Sequence, residues 1–165
     1  MRSDRINFLA VVTAVAGLVG FIGVFANWFS LAYQASGTQI VLEFDGTADG
    51  TGAVAVAASL GALTFGCAYI LLTDPAIRRM TALLMVISSI LLLLVSLIGF
   101  TRVGEAIGAP NPFLPGIEGD AVWEGTPAIG LAISCLAGIL ATVASVLLVI
   151  RREAGVEEAV SVDAA

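Results

Sequence analysis

The sequence predicts an all-α membrane protein, a four-transmembrane-helix bundle with a small external β-hairpin or sheet formed by its two external loops. Composition is the first indication: 59% of the 165 residues are hydrophobic and 12% are charged, whereas soluble domains carry about 25% charged residues. The second is that the apolar residues form four runs without Asp, Glu, Lys or Arg. Each run has the length of about 20 residues that a helix needs to cross the hydrocarbon core.

The four runs leave connections that fit a single integral membrane domain, 1–165. The predicted spans are 8–29, 53–72, 80–100 and 128–150. The predicted connections are external loops 30–52 and 101–127, a cytoplasmic turn 73–79 and an extended or frayed cytoplasmic tail 151–165. We expect the first span to be retained, because it is longer than the apolar core of about 7–15 residues in a signal peptide.

The arginines predict the orientation of the chain in the membrane. The sequence has seven arginines and no lysine, and six of the seven lie on the side that holds both termini. Positive charge is retained in the cytoplasm, so we expect a multi-pass protein of the cell (plasma) membrane with cytoplasmic N- and C-termini. The external loops carry seven carboxylates and one arginine, which makes the outer face acidic.

Small residues recur four positions apart in spans one, two and four, a spacing that lets helix backbones approach closely in lipid. The residues predicted to pack helix against helix are Gly17, Gly20, Gly61, Gly66, Gly130, Ser134 and Gly138. The alternative is that glycine is simply common in such helices. Span three is leucine-rich and is expected to present more surface to lipid. Cys67 and Cys135 lie at different depths, so we expect two small buried side chains and no disulfide.

The first external loop alternates between polar and apolar residues in two runs, 28–34 and 38–44, around a glycine-containing turn. This pattern predicts a β-hairpin. A lone hairpin is marginal in water, so a third strand at 120–124 is expected to join it. The residues predicted to contact a partner are Trp28, Tyr33, Ile40, Leu42, Phe44 and Trp123. For the two tryptophans, anchoring at the membrane–water interface is the alternative role.

The sequence offers no set of residues for catalysis. It has no histidine, its cysteines lie in predicted spans, and it has no lysine for a phosphate-binding loop. No ionisable residue lies within a span, which argues against ion-coupled transport by one chain. We therefore expect a protein that is not an enzyme, has no cofactor and binds no nucleic acid.

The acidic run Glu43, Asp45 and Asp49 is the best candidate for a cation site. Carboxylate oxygens suit Ca²⁺ or Mg²⁺, but the run lacks the spacing and the closing glutamate of an EF-hand loop. The prediction is therefore that no metal binds and that the loop is solvated. An acidic surface without lysine also suits a host adapted to high salt.

The layout resembles the claudin-like tetraspan architecture. Asn27-Trp28-Phe29 leads into a β-like first external loop, and Arg78-Arg79 separates spans two and three. The chain also resembles small four-span membrane proteins of GC-rich prokaryotes that are named for association with the tryptophan operon, through Trp28 and the Asp45-Gly46 loop. The paired loop cysteines and the second loop tryptophan of claudins are missing, so no functional residue is carried over.

These features favour a structural or interaction protein of the cell envelope. It would act through its external β-like loop and its small-residue helix faces, surrounded by membrane lipids. We expect self-association or binding to another membrane protein. The alternatives are an accessory subunit of a membrane transport or respiratory complex, or a small oligomeric channel lined by Ser134, Thr142 and Ser145.

Overall fold

The structure is a computed structural model that describes residues 2–35, 38–47, 50–106 and 122–163. Its elements, in chain order, are α1 (Arg2–Phe25), β1 (Asn27–Ala35), β2 (Thr38–Asp45), α2 (Gly50–Leu71), α3 (Pro75–Ala106), β3 (Val122–Pro127) and α4 (Ile129–Asp163). Each helix contains a segment long and apolar enough to cross a membrane, namely Asn7–Phe25, Thr51–Leu71, Pro75–Thr101 and Ile129–Arg151. The prediction of four such helices is confirmed.

The four helices form a bundle in which each helix packs against two neighbours. The neighbours are α1 and α2, α2 and α3, α3 and α4, and α4 and α1, while α1 and α3 barely touch. The strands lie where α1 and α3 end and where α2 and α4 begin, and we call this the sheet end of the bundle. At the opposite end the connection 72–74 joins α2 to α3. We call this the arginine end, because Arg78 and Arg79 lie there at the start of α3.

The helix limits differ from the predicted span limits at several places, and two of these differences have a local cause. The first span ends at Phe25 and not at residue 29, because the chain enters β1 at Asn27. Helix α3 starts at Pro75, five residues before the predicted span. The Asp74 carboxylate caps it, accepting hydrogen bonds from the backbone N–H groups of Ala76 and Ile77 at 2.8 and 3.0 Å. The tail predicted as extended or frayed continues α4 to Asp163.

The strands form an antiparallel sheet in the order β2-β1-β3. The predicted hairpin is confirmed as β1 and β2, and its turn at 36–37 lies outside the described residues. The predicted third strand at 120–124 is also present: the structure describes it as Val122–Pro127, and it pairs with β1. Residues 120 and 121 lie outside the described residues. Because β1 is central, β2 and β3 are the two edge strands of this sheet.

A β-bulge at Trp28 interrupts the pairing of β1 with β2. The register passes from Asn27 opposite Asp45 to Phe29 opposite Phe44, which leaves Trp28 without an opposite residue. An extra residue of this kind bends the strand and redirects its side chain. Here Trp28 is only 3% exposed and packs with residues of all four helices.

Helices α2 and α3 bury a similar share of their surface inside the bundle. Both bury 33% of their most apolar segment, compared with 44% for α1 and 39% for α4. The prediction that span three presents more surface than the other spans therefore agrees with α1 and α4 and is wrong for α2. Helices α2 and α3 each pack against two neighbours, so α3 is not more exposed than α2. The two cysteines are free, as predicted, but Cys67 is exposed on α2 and is not the buried side chain that we expected.

Candidate interaction site

Trp28 closes the sheet end of the bundle. Its indole packs against Val24, Ala55, Val95 and Leu131, one residue from each helix. Its Nε1–H donates a hydrogen bond to the backbone oxygen of Gly23 at 3.0 Å. The side chain of Trp28 is therefore enclosed by the protein and is not exposed for the predicted contact with a partner. Its anchoring at the membrane–water interface stays a prediction.

Two glycines make room for the Trp28 ring. A Cβ on Gly46 would collide with the indole, and the Gly46 N–H donates to the Val24 oxygen at 2.9 Å. A Cβ on Gly99 would lie 3.3 Å from the indole and 2.7 Å from the Leu131 side chain. The indole therefore needs glycine at both positions, because an alanine at either one would be too close to its neighbours.

The edge strand β2 carries exposed apolar side chains at the sheet end. Val41 is 53% exposed and Leu42 is 38% exposed, and they are consecutive residues. Phe44 is half-buried, because its ring stacks on Phe29 with centroids 4.9 Å apart and an interplanar angle of 14°. Three residues of β2 are predicted from the sequence to contact a partner: Ile40, Leu42 and Phe44. Among those whose side chains the structure describes, Leu42 is the exposed one.

Three other predicted contact residues form one row across the sheet. Tyr33 in β1 pairs with Ile40 in β2 on one side and with Trp123 in β3 on the other. The pairing brings together residues far apart in the sequence, as the predicted sheet requires. The side chains of these three residues lie outside the described part of the chain.

The acidic residues of the first loop are engaged in local hydrogen bonds. The Glu43 carboxylate accepts from the Asn27 side-chain amide at 2.5 Å. The Asp45 carboxylate accepts from the Thr47 N–H and hydroxyl at 2.9 and 2.7 Å, which stabilises the turn after β2. Asp49 lies outside the described residues. Within the described ranges, no group of three or more His, Cys, Asp or Glu side chains could hold a metal ion.

Glycines bring α1 and α2 into close contact. A Cβ on Gly17 would lie 2.6 Å from the backbone nitrogen of Leu63, and a Cβ on Gly66 would lie 2.9 Å from that of Ala14. Both separations are too short for a real side chain. At Gly20 a Cβ would lie 2.8 Å from the side chain of Leu92 on α3. These glycines therefore determine how closely the helix backbones approach, as expected for small residues in membrane bundles.

The other small residues of the predicted set also lie at contacts between elements. A Cβ on Gly61 would lie 2.5 Å from the Ser88 hydroxyl of α3, and one on Gly138 would lie 2.8 Å from the Leu93 backbone of α3. A Cβ on Gly130 would lie 2.7 Å from the backbone oxygens of residues 26 and 27. The Ser134 hydroxyl would lie 2.6 Å from a Cβ on Gly23. Helix α3 thus receives small residues from both of its neighbours.

Hydroxyl side chains are the buried polar groups of the bundle. Several donate to the carbonyl four residues earlier in their own helix, among them Thr13, Ser59, Ser89 and Ser96. Ser134 and Ser145 are fully buried inside the chain, so they do not face a lumen between subunits. The Ser134 and Thr142 hydroxyls are buried without a hydrogen-bond partner in the structure.

At the arginine end, Arg78 connects three helices. Its guanidinium lies 4.4 Å from the centroid of the Tyr69 ring on α2, and it donates to the Asn7 side-chain oxygen on α1 at 3.3 Å. Tyr69 belongs to a buried cluster with Ala10, Met85 and others. The sequence indicated only a role in orientation for Arg78, and the Tyr69–Arg78 spacing across the short turn is the one signal that could have suggested this contact.

An apolar groove runs between α1 and α4 on the outside of the bundle. It has a volume of about 340 Å³. Aliphatic side chains and alanines line it, and they include Val15 and Val19 of α1 and Leu136 and Leu140 of α4. Because both helices are of membrane-crossing length, the groove opens on the surface that lipid or another transmembrane helix would contact.

The fold is a bundle of four helices, each long and apolar enough to cross a membrane, with a small antiparallel sheet at one end. The chain matches no known protein-family model, and no curated protein sequence is significantly similar to it.

Proposed function

We propose that the protein is a non-enzymatic interaction protein of the cell membrane that associates with a second copy of itself through the external edge strand β2. Its termini are cytoplasmic in this proposal, as the arginine distribution predicts, and the assembly is claudin-like in its use of an external sheet. The observation that supports it most strongly is the pair of exposed apolar residues Val41 and Leu42 on a strand that is at the edge of the described sheet.

An exposed edge strand presents unpaired backbone groups that favour pairing with another strand. Natural proteins usually protect such an edge with charged residues, proline or a covering segment. In β2 the central residues are instead apolar, while Glu43 and Asp45 are confined to its last three residues. The edge is therefore suited to pairing in its centre.

Antiparallel pairing of two β2 strands is compatible with their charges. If the two-fold axis passes between Val41 and Leu42, Glu43 lies opposite position 40 of the other copy and Asp45 lies opposite position 38. No two carboxylates are then directly opposed, and like charges in opposed positions are what destabilises a strand pair. The resulting contact is isologous, as in most dimers.

The test is self-association of the protein in lipid bilayers, measured by energy transfer between two fluorescently labelled populations. Val41→Asp and Leu42→Asp introduce charge into the apolar centre of the edge, and each is expected to weaken association about tenfold or more. The matched control is Thr126→Asp, which adds the same charge to an exposed residue of the opposite edge strand, β3. Association should be unchanged in the control.

Equal loss in all three variants would show that net charge, and not the β2 edge, governs association. Unchanged association in both β2 variants would contradict the proposal directly. Crosslinking from β2 to a different membrane protein, with no self-association, would keep the edge as the site and replace the partner.

A second candidate function is that of an accessory subunit of a membrane transport or respiratory complex. The observation that favours it is the apolar groove between α1 and α4, since a transmembrane helix of another subunit would fit along its aliphatic lining. Val15→Trp and Leu136→Trp would fill this groove. Loss of a stoichiometric partner on purification of these variants, with the β2 variants unaffected, would support this function over self-association through the sheet.

A further inference from the structure

Arg78 is a positive charge held in place by neutral partners. Its two described contacts are the face of the Tyr69 ring and the side-chain oxygen of Asn7. These contacts come from α2 and α1, whereas Arg78 lies in the first turn of α3. The guanidinium is therefore held in place by contacts from two other helices. Because its side chain is already ordered, a ligand would lose little binding free energy in ordering it.

The described residues leave the charge of Arg78 without a counter-charge. Asp74 is the acidic residue nearest in the sequence, but its carboxylate accepts the N–H groups of Ala76 and Ile77 at the start of α3. The Nε–H of Arg78 is buried and has no acceptor among the described residues. A cation without a counter-charge in such a place is unfavourable, so an anion beside the guanidinium would stabilise the structure.

The position of Arg78 relative to the membrane-crossing segments indicates which anion is available. The segments Asn7–Phe25 and Thr51–Leu71 have their arginine-end limits at Asn7 and Leu71, and the third begins at Pro75. Arg78 therefore lies near the level at which apolar helix meets water, where lipid phosphates are concentrated. A guanidinium matches a phosphate geometrically, through two parallel hydrogen bonds.

We propose that Arg78 forms a binding site for the phosphate of an anionic phospholipid at the arginine end of the bundle. Tyr69 and Asn7 position the guanidinium, and its terminal N–H groups bind the phosphate oxygens. The Nε–H is closed off in the structure and takes no part in binding. An anionic headgroup is favoured because it carries no ammonium group to compete with Arg78.

Arg79 provides a matched comparison for Arg78. It is the next residue of α3, carries the same charge at the same level of the membrane, and its side chain is exposed. Anionic lipid is attracted in a general way to any basic residue near the membrane surface. Such attraction would act on both arginines, whereas a site built around Arg78 would not.

The experiment is native mass spectrometry of the full chain, released from bilayers and titrated with phosphatidylglycerol or phosphatidylcholine. The wild type should retain one phosphatidylglycerol in preference to phosphatidylcholine. Arg78→Gln should bind phosphatidylglycerol about tenfold more weakly than Arg79→Gln, the difference expected for loss of a charge-assisted hydrogen-bond pair. Arg78→Lys keeps the charge but lacks the planar fork, and it should fall between wild type and Arg78→Gln.

Three results would overturn the proposal: equal loss in Arg78→Gln and Arg79→Gln, equal binding of the two lipids by the wild type, or displacement of the lipid by inorganic phosphate at the same concentration. The last would assign the site to free phosphate. If Arg78→Gln does not fold, the comparison of Arg78→Lys with Arg79→Lys decides, and equal binding by these two would overturn the lipid site.

Discussion

The two ends of the bundle are closed by different chemistry. At the sheet end, a tryptophan from the loop is packed among one apolar residue from each helix, with its one polar group hydrogen-bonded. At the arginine end, a cation is held by an aromatic face and an amide, and one of its N–H groups lacks an acceptor. The polar group of the first arrangement is paired within the chain, whereas the second leaves a cation to which we propose an anion binds.

This difference separates stability from recognition. A site whose polar groups are all paired gains nothing from a ligand, and its residues contribute mainly to packing. A site with an unpaired charged donor gains free energy when a partner arrives. We therefore expect substitutions at the sheet-end core to change unfolding strongly, and substitutions of Arg78 to change lipid binding more than unfolding.

The largest expected effect is that of Trp28→Ala. Removing the indole leaves a cavity among all four helices and breaks the hydrogen bond to Gly23, and losses of this kind cost about 3–5 kcal/mol in protein cores. Thermal unfolding in detergent, followed by circular dichroism, should show a much lower midpoint. Phe8→Ala is the control, since Phe8 is an aromatic residue of α1 that is 64% exposed. A similar midpoint for both variants would contradict the role of Trp28 in the core.

A smaller effect is expected from Gly66→Leu. The new side chain would press against the backbone of α1 at Ala14, where a Cβ alone would lie 2.9 Å away. Overpacking of this kind costs about 1–3 kcal/mol. The control is Ala57→Leu, at an exposed position of the same helix. The same thermal measurement applies, and destabilisation by Ala57→Leu as large as that by Gly66→Leu would show that bulk on α2 matters irrespective of its face.

The smallest effect, with the opposite sign, is expected from Ser134→Ala. The Ser134 hydroxyl is buried without a partner, so its removal relieves an unpaired polar group and should be neutral or stabilising by up to about 1 kcal/mol. Ser59→Ala removes a hydroxyl that donates to the Ala55 oxygen at 2.7 Å and should not stabilise. A clear loss of stability in Ser134→Ala would indicate that this hydroxyl has a partner in the membrane.

Much of the fold could be predicted from the sequence because hydrophobic length and alternation are local signals. Four apolar runs gave four helices, and two alternating runs gave β1 and β2. The fate of Trp28 could not be predicted, because a bulge shifts the alternation by one residue and depends on how β1 meets the helix ends. Alternation along β2 puts Val41 and Leu42 on opposite faces of the strand, yet the side chains of both are exposed.

The contacts of Arg78 are a second feature that the sequence could not predict. Its charge and its position between two apolar runs predicted only orientation, since the contacts with Asn7 and Tyr69 join residues of three helices. The sequence also placed it in a loop, whereas Asp74 and Pro75 start α3 early enough to fix it in a helical turn. Tertiary contacts of this kind depend on helix rotation, which the periodicity of nearly uniform apolar helices does not define.

The proposed orientation, with the sheet outside the cell and the arginine end in the cytoplasm, is best tested by the accessibility of single cysteines in intact cells. In a chain with Cys67→Ser and Cys135→Ser, one cysteine would be introduced at Val41 of the sheet end or at Arg79 of the arginine end. A membrane-impermeant maleimide should label Val41→Cys in intact cells and Arg79→Cys only after permeabilisation. Labelling of Arg79→Cys but not of Val41→Cys in intact cells would contradict an external sheet and a cytoplasmic arginine end.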